Sequence, residues 1–223
     1  TTDHGLAFPG AKATLFDRGI GVLMIVRGPG FTGGKVIDAA VSHLDVYPTL
    51  CELAGATEPD WLQGRSLMPL VRGEVDRLHD AIFAETTYHA AYQPHRAVRT
   101  DRWKYIRKFD EYPHPVLANC DDSETKDLLV RAGWGKQIVP AEQLYDLVLD
   151  PQEGHNLVGE PANAEVLAEM RERLDRWMRD TDDPLLEGPI EPPPGATVNE
   201  QWQLSPEDQV RVVRSGSTAV PSR

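Results

Sequence analysis

The sequence has 223 residues, of which 40% are hydrophobic and 26% are charged, and its formal net charge is -12 at pH 7. This length suffices for one domain or for two parts of a larger one, and the composition is typical of a folded globular protein. The negative charge argues against a protein that binds nucleic acid nonspecifically, and no apolar run approaches the ~20 residues of a membrane span.

The first candidate site residues stand at the beginning of the sequence. The letters TTDHG (1–5) read as the end of a strand followed by a loop, which is where open α/β sheets place ligands. Asp3 offers a carboxylate to a divalent cation, and His4 offers a nitrogen ligand or a hydrogen bond to an oxyanion. Lys12 follows in a glycine-containing loop, where it could hold an anion. Taken alone, these residues also fit a surface turn and a solvated lysine.

Residues 1–75 show an α/β pattern. The letters GVLMIV (21–26) form a continuous apolar run, which predicts a strand covered on both faces. A short helix is predicted after Asp45, with Pro48 in its first turn and Gly55 at its C-terminal stop. We expect this part to be the end of an α/β domain.

From about residue 80 the pattern changes to short strands. Strands are predicted at 81–85, 96–100, 103–108 and 143–147, and the second and third form a hairpin that turns at 100–102. Trp103 and Tyr105 then share one face of the hairpin, while Lys104, Ile106 and Lys108 share the other. This pattern predicts an antiparallel sheet with a polar side. Residues 111–139 are predicted to be a loop.

A helix at 164–178 is the clearest helical pattern in the sequence, and its apolar stripe should pack on the small sheet. Together with the strands it defines a second unit at 76–185, an antiparallel-sheet and helix subdomain. The remaining residues, 186–223, are rich in proline and are predicted to be an irregular tail.

The succession of these pieces resembles the C-terminal part of the sulfatase family. The resemblance includes TTDHG (1–5), Lys12, the apolar run that ends in RGPG (27–30), and the segments 41–55 and 62–67. It continues through RAVRTDRWKYI (96–106) and LYDLVLDPQEGHNL (144–157). Within the family it is most similar to the branch that contains heparan N-sulfatase and its bacterial relatives.

The resemblance implies an alkaline phosphatase-like fold and hydrolysis of a sulfate ester or sulfamate on a sulfated carbohydrate. It also implies a formylglycine nucleophile beside a calcium ion. By their positions, Asp3 and His4 match metal-binding residues, and His4 and Lys12 match residues that contact the sulfate. A fixed cation and a lysine would stabilise the charge that sulfuryl transfer develops on oxygen. His89, in a polar segment between strands, is a further candidate for substrate binding.

The sequence also departs from the family pattern. Neither Cys51 nor Cys120 lies in a Cys/Ser-x-Pro/Ala-x-Arg motif, and the tail AVPSR (219–223) has alanine at the position that would be modified. One Asp and one His cannot hold calcium tightly, because calcium takes six to eight oxygen ligands. We therefore expect the chain alone to be inactive. The alternatives are a phosphodiesterase or phosphonate hydrolase of the same superfamily, and a noncatalytic fragment that acts as a binding or structural module.

Overall fold

The first part of the chain contains three short helices. The computed structural model describes residues 1–31 and 33–213. In it, α1 spans Asp17–Ile20, α2 spans Val46–Ala54 and α3 spans Met68–Arg72. A 3-10 turn precedes α2, and the side chains of Ser42 and Asp45 form a capping box there. Gly55 ends α2 with a φ of 63°, so the predicted helix and its stop are confirmed.

The prediction of a buried strand at 21–26 is wrong for this chain. The segment has no strand assignment, and the side chains of Leu23 and Ile25 are 61% and 76% exposed. A strand needs a row of hydrogen bonds to a neighbour. Among the described residues, the backbone of this run makes one such bond to the beginning of the chain, from Thr2 N to Leu23 O at 3.0 Å, and one that closes α1, from Gly21 N to Asp17 O at 2.7 Å. A strand in the centre of a sheet has both faces covered by other residues. Within the described residues, Leu23 and Ile25 have no such cover.

The antiparallel sheet is present with the predicted hairpin at its centre. Strand β1 spans Ile82–Tyr88, β2 spans Tyr92–Arg99, β3 spans Trp103–Lys108 and β4 spans Glu142–Asp146. They pair in sequence order, each antiparallel to the next. The connections from β1 to β2 and from β2 to β3 are short, which favours antiparallel neighbours, whereas residues 109–141 separate β3 from β4.

The segment 111–139 is more regular than the predicted loop. Within it, α4 spans Glu124–Arg131, and the Ser123 side chain caps the helix by accepting a hydrogen bond from Lys126 N. The prediction of a loop overlooked this capping residue, which is one of the standard helix-start signals.

Helix α5 spans Ala164–Asp180 and covers one face of the sheet. Its buried stripe, Leu167, Met170, Leu174 and Met178, packs on Val98, Tyr105 and Leu144 of three strands. The predicted helix is confirmed, and so is the alternation of β3, because Tyr105 points to α5 while Ile106 belongs to the core on the opposite face.

The opposite face of the sheet packs against the chain around α1. Leu15 contacts Ala97, Ile106 and Tyr145 in a second core. The polar side predicted for the sheet is therefore covered, and Lys104 on this face is 0% exposed. This packing brings the loop that carries Lys12 onto the sheet.

The residues after α5 are not wholly irregular. Strand β5, Thr197–Val198, pairs antiparallel with β6, Arg211–Val212. Residues 214–223, which include the AVPSR letters at the end, lie outside the described residues. No helix in the described part of the chain is long and apolar enough to cross a membrane.

Candidate functional site

The Asp3-His4 pair lies where the beginning of the chain runs beside residues 18–23. Gly5 N donates to Gly19 O at 2.8 Å, and Leu6 N donates to Arg18 O at 2.8 Å. A side chain at position 5 would meet Arg18 O at 2.3 Å, so this close approach of two backbones requires glycine. These backbone hydrogen bonds also hold the position of Asp3 and His4, which directly precede Gly5. The Asp3 side chain is 90% exposed, and its carboxylate lies 3.8 Å from His4 Nε2.

Lys12 stands in a turn built by backbone hydrogen bonds. Ala11 N and Lys12 N both donate to Phe8 O, at 3.0 and 3.1 Å, and Thr14 Oγ1 donates to Ala11 O at 2.7 Å. The Lys12 side chain is only 18% exposed, so the turn and its surroundings restrict the ammonium group.

Asp121 is the partner of Lys12 and was not predicted from the sequence. Lys12 Nζ donates to Asp121 Oδ2 at 2.5 Å, and this hydrogen bond is the largest cause of the lowered pKa of Asp121. The two residues are far apart in the chain, and Asp121 lies in the segment 111–139 that has little periodicity. An ammonium group has three donors, and the hydrogen bond to Asp121 uses one of them.

His89 joins these residues from the turn after β1. Burial and then the positive charge of Lys12 lower the pKa of its imidazole, His4 acts in the same direction, and Asp121 acts in the opposite one. These couplings place Lys12, His4 and Asp121 within electrostatic reach of His89. Three of the four predicted site residues, Lys12, His4 and His89, are thus coupled electrostatically, and Asp3 lies beside His4.

The donors that this chain offers to a cation are few. Among the described residues, no group of three or more His, Cys, Asp or Glu side chains could hold a metal ion. The exposed Asp3 carboxylate suits a hard cation, but calcium takes six to eight oxygens. Any complete calcium site would therefore need further ligands from outside these residues.

A cavity of about 370 Å³ begins at Lys12 and extends over the sheet. Its floor is the sheet face that carries His95, Lys108, Gln143 and Tyr145, and its walls are the turn around Lys12 and parts of the segment 112–140. His95 lies opposite Lys108 in the register of β2 and β3. We refer to this space as the sheet cavity.

Acid should destabilise the protein through His95. Burial first, and then the charges of Lys108 and Arg96, lower the pKa of His95 from 6.5 to about 4. The unfolded chain binds this proton more readily, so the stabilisation is complete above about pH 6.5 and is lost as the pH falls toward 4. We expect the free energy of unfolding to drop by about 3 kcal/mol over this range from His95 alone.

Urea unfolding at several pH values between about 7 and 4.5 measures this effect. His95→Gln should remove most of this pH dependence, whereas His155→Gln, at an exposed position, should keep it. An equal pH dependence in the His95→Gln and parent chains would contradict the assignment.

Comparison with known proteins shows that this chain is similar to sulfatases. A solved 2-O GAG sulfatase aligns with a TM-score of 0.61 and 29% identity over 82% of this chain and 35% of its own. An ulvan-active sulfatase from Formosa agariphila is 28% identical, over 85% of this chain and 39% of its own length. The human N-sulphoglucosamine sulphohydrolase is 29% identical, over 82% and 41%.

The family match is more specific. Residues 5–129, more than half of the chain, match the family described as N-sulphoglucosamine sulphohydrolase, C-terminal. The chain therefore belongs to this family and has the C-terminal part of the alkaline phosphatase-like sulfatase fold, as the sequence predicted. It spans about two fifths of the length of these curated relatives.

Proposed function

We propose that the chain forms one side of a sulfatase active site that hydrolyses a sulfate ester or sulfamate of a sulfated carbohydrate. The observation that carries the proposal is the electrostatic coupling of Lys12 and His4 to His89, with Asp3 beside His4, in a chain of this family. The names of the relatives favour sulfated sugars as the substrate class, with N-sulfoglucosamine as one candidate.

Each residue has a role that follows from its chemistry. Lys12 would donate hydrogen bonds to the non-bridging sulfate oxygens, where negative charge develops in the transition state. Its limited exposure favours this role, because a restricted donor needs little reorganisation during the reaction. The lowered pKa of His89 keeps its imidazole neutral at pH 7, so it presents one donor and one acceptor to the substrate.

Asp3 and His4 would complete the metal side of the site. We propose that both contribute ligands to a calcium ion, and that His4 also contacts the sulfate. Calcium and a formylglycine would supply charge neutralisation and the nucleophile, with the formylglycine and the remaining ligands coming from sequence outside this chain. The 223 residues alone should release no sulfate.

Sulfate release by the product of the complete reading frame tests the proposal. With calcium present, that product should hydrolyse a chromogenic aryl sulfate or N-sulfoglucosamine. Lys12→Ala should lower kcat about 10²–10³-fold, because it removes one fixed donor to the developing charge. Asp3→Ala should lower activity at limiting calcium, and Lys136→Ala, at an exposed position, is the matched control.

Two results would contradict this function. One is hydrolysis of phosphate diesters without sulfate release, which would favour the phosphodiesterase alternative. The other is an unchanged rate in Lys12→Ala. If the reading frame encodes no more than this chain and no sulfate is released, the noncatalytic alternative is correct.

A further inference from the structure

One buried side chain holds the turn that carries His89. Asn119 lines the sheet cavity but is only 2% exposed, and its amide bonds with the backbone of Ala91. Ala91 N donates to Asn119 Oδ1 at 2.7 Å, and Asn119 Nδ2 donates to Ala91 O at 3.2 Å. Because Ala91 is fully buried, its N–H depends on Asn119 rather than on water for a hydrogen bond. We refer to this pair of bonds as the Asn119 clamp.

The orientation of the Asn119 amide is itself fixed. Its Nδ2 also donates to Gln93 Oε1 at 2.7 Å, so both amide hydrogens and the amide oxygen have partners. A further bond, from Asn199 N to Ala90 O at 2.8 Å, holds the same turn from the residues after α5. A buried amide whose bonds are all satisfied favours one geometry, so the turn with His89 is held in place.

Asn119 also leads directly to the partner of Lys12. Asp121, two residues further along the chain, accepts the hydrogen bond from Lys12 Nζ at 2.5 Å. His89 and Lys12 are therefore both bonded to residues 119–121, the first through the backbone of its turn and the second through Asp121. This short segment sets the position of one relative to the other.

The Asp121 end of the segment has a separate anchor. Lys126 Nζ donates to Cys120 O at 2.7 Å and to Asp122 Oδ1 at 2.8 Å, and the Lys126 side chain is 3% exposed. The residues on both sides of Asp121 are thus fastened to α4. A loss of the Asn119 clamp should for this reason release the turn with His89 and leave Asp121 in place.

We propose that Asn119 is a positioning residue of the sulfate site, which holds His89 in register with Lys12. Asn119 acts through the backbone of Ala91, and His89 makes the contact with the ligand. A side chain that is held in place before binding loses less conformational entropy when the ligand arrives, so the clamp should tighten sulfate binding. This inference rests on the proposed function, because Lys12 and His89 are taken as ligand contacts.

Sulfate titrations of Asn119→Ala, followed by NMR of the histidine imidazoles in the 223-residue chain, test the inference. The variant should bind inorganic sulfate about three- to tenfold more weakly than the parent chain, because one contact residue must be ordered on binding. The His89 imidazole should lose most of its response to sulfate. His4 should keep its response, since the backbone bonds of Gly5 hold it independently of Asn119.

Asn156→Ala is the matched control, because Asn156 bonds with a strand backbone in the same way. Its Oδ1 accepts a hydrogen bond from Leu144 N at 3.0 Å, and its Nδ2 donates to Glu142 O at 3.0 Å. Both variants should lower the urea midpoint by similar amounts. Only Asn119→Ala should weaken sulfate binding, so a general loss of stability would not give the expected result.

Gln93→Met is a milder change that keeps the test decisive if Asn119→Ala does not fold. It removes the acceptor that orients the Asn119 amide and leaves both bonds to Ala91 possible. Sulfate binding should weaken about two- to threefold, with a smaller loss of stability than in Asn119→Ala.

The outcomes separate this inference from the proposed function. If sulfate shifts His4 and His89 in the parent chain and binds Asn119→Ala equally tightly, the inference alone is overturned. Equal weakening in Asn119→Ala and Asn156→Ala would also overturn it, because Asn119 would then have no specific role. If sulfate shifts neither histidine in the parent chain, the proposed function fails and the inference fails with it.

Discussion

Replacing Arg96 by Met should lower the free energy of unfolding by about 3–5 kcal/mol, because it leaves the Asp183 carboxylate buried without its partner. The two side chains are 1% and 3% exposed, and Arg96 Nε lies 2.5 Å from Asp183 Oδ2. Arg96 Nη2 makes a second bond to Asp183 Oδ1 at 3.1 Å, and Arg96 Nη1 donates to Thr86 O at 2.8 Å. The pair joins β2 to the residues after α5.

The pKa of Asp183 agrees with this assignment. Burial alone would raise it, but the hydrogen bonds from Arg96 and from Leu185 N outweigh burial and hold the pKa below its usual value. The stabilisation is therefore present above the ordinary pKa of Asp and is lost as the pH falls below it.

Urea unfolding of four chains measures the contribution of the pair. Arg96→Met/Asp183→Asn should recover much of the loss, because no uncompensated charge is left. Arg179→Met, which breaks an exposed pair with Glu172, should cost less than about 1 kcal/mol. If Arg96→Met lowered the free energy of unfolding no more than Arg179→Met does, the buried pair would contribute no more to stability than an exposed pair.

Replacing Lys104 by Met should also destabilise the protein by about 3–5 kcal/mol. Lys104 is fully buried on β3, and its ammonium contacts the carboxylates of Asp17 and Glu153, the latter at 3.0 Å. Glu153 Oε2 in turn accepts a hydrogen bond from Asp17 N at 2.6 Å. The cluster fastens α1, just after the Lys12 turn, to the sheet.

The two carboxylates respond differently to this environment. Burial is the largest single influence on both pKa values, and it acts to raise each of them. The pKa of Glu153 is raised accordingly, whereas the hydrogen bonds and charges of Arg99 and Lys104 together outweigh burial and lower the pKa of Asp17. Without Lys104, the pKa of Glu153 should rise further, so the destabilisation should be smaller at acid pH than at pH 7. Lys104→Met/Glu153→Gln should restore part of the stability.

Unfolding curves at two pH values, with the exposed Lys136→Met as control, measure this effect. Equal free energies of unfolding in Lys104→Met and Lys136→Met would contradict the claim that this cluster stabilises the protein. Because the cluster holds α1, its loss should also weaken sulfate binding at Lys12.

The sheet and its helix were predictable because their signals are local. Alternation in 103–108 and the apolar stripe of 164–178 depend on neighbouring residues, so one sequence is enough to read them. The burial of Lys104 was not predictable in this way. The alternation of residues in β3 places Lys104 on a polar face of the sheet. Its burial depends on Asp17 and Glu153, which are distant in the sequence and therefore give no local signal.

The candidate site was predicted from its position in the family rather than from geometry. Asp3, His4 and Lys12 were singled out by their local chemistry, but their roles came from the resemblance, and His89 was chosen for its place between strands. Asp121 was missed because an aspartate in a segment without periodicity gives no sign of a partner as distant as Lys12. The buried strand at 21–26 was wrong because an apolar run specifies burial but does not supply the neighbours that provide it.

A sulfate titration of the histidine-labelled chain, followed by NMR, tests the central claim most directly. Sulfate should shift the imidazoles of His4 and His89 together. Lys12→Ala should abolish the response, Lys12→Arg should retain it, and Asp121→Asn should tighten binding about two- to fivefold by removing a competing carboxylate. No shift at either histidine, or an unchanged response in Lys12→Ala, would contradict the account.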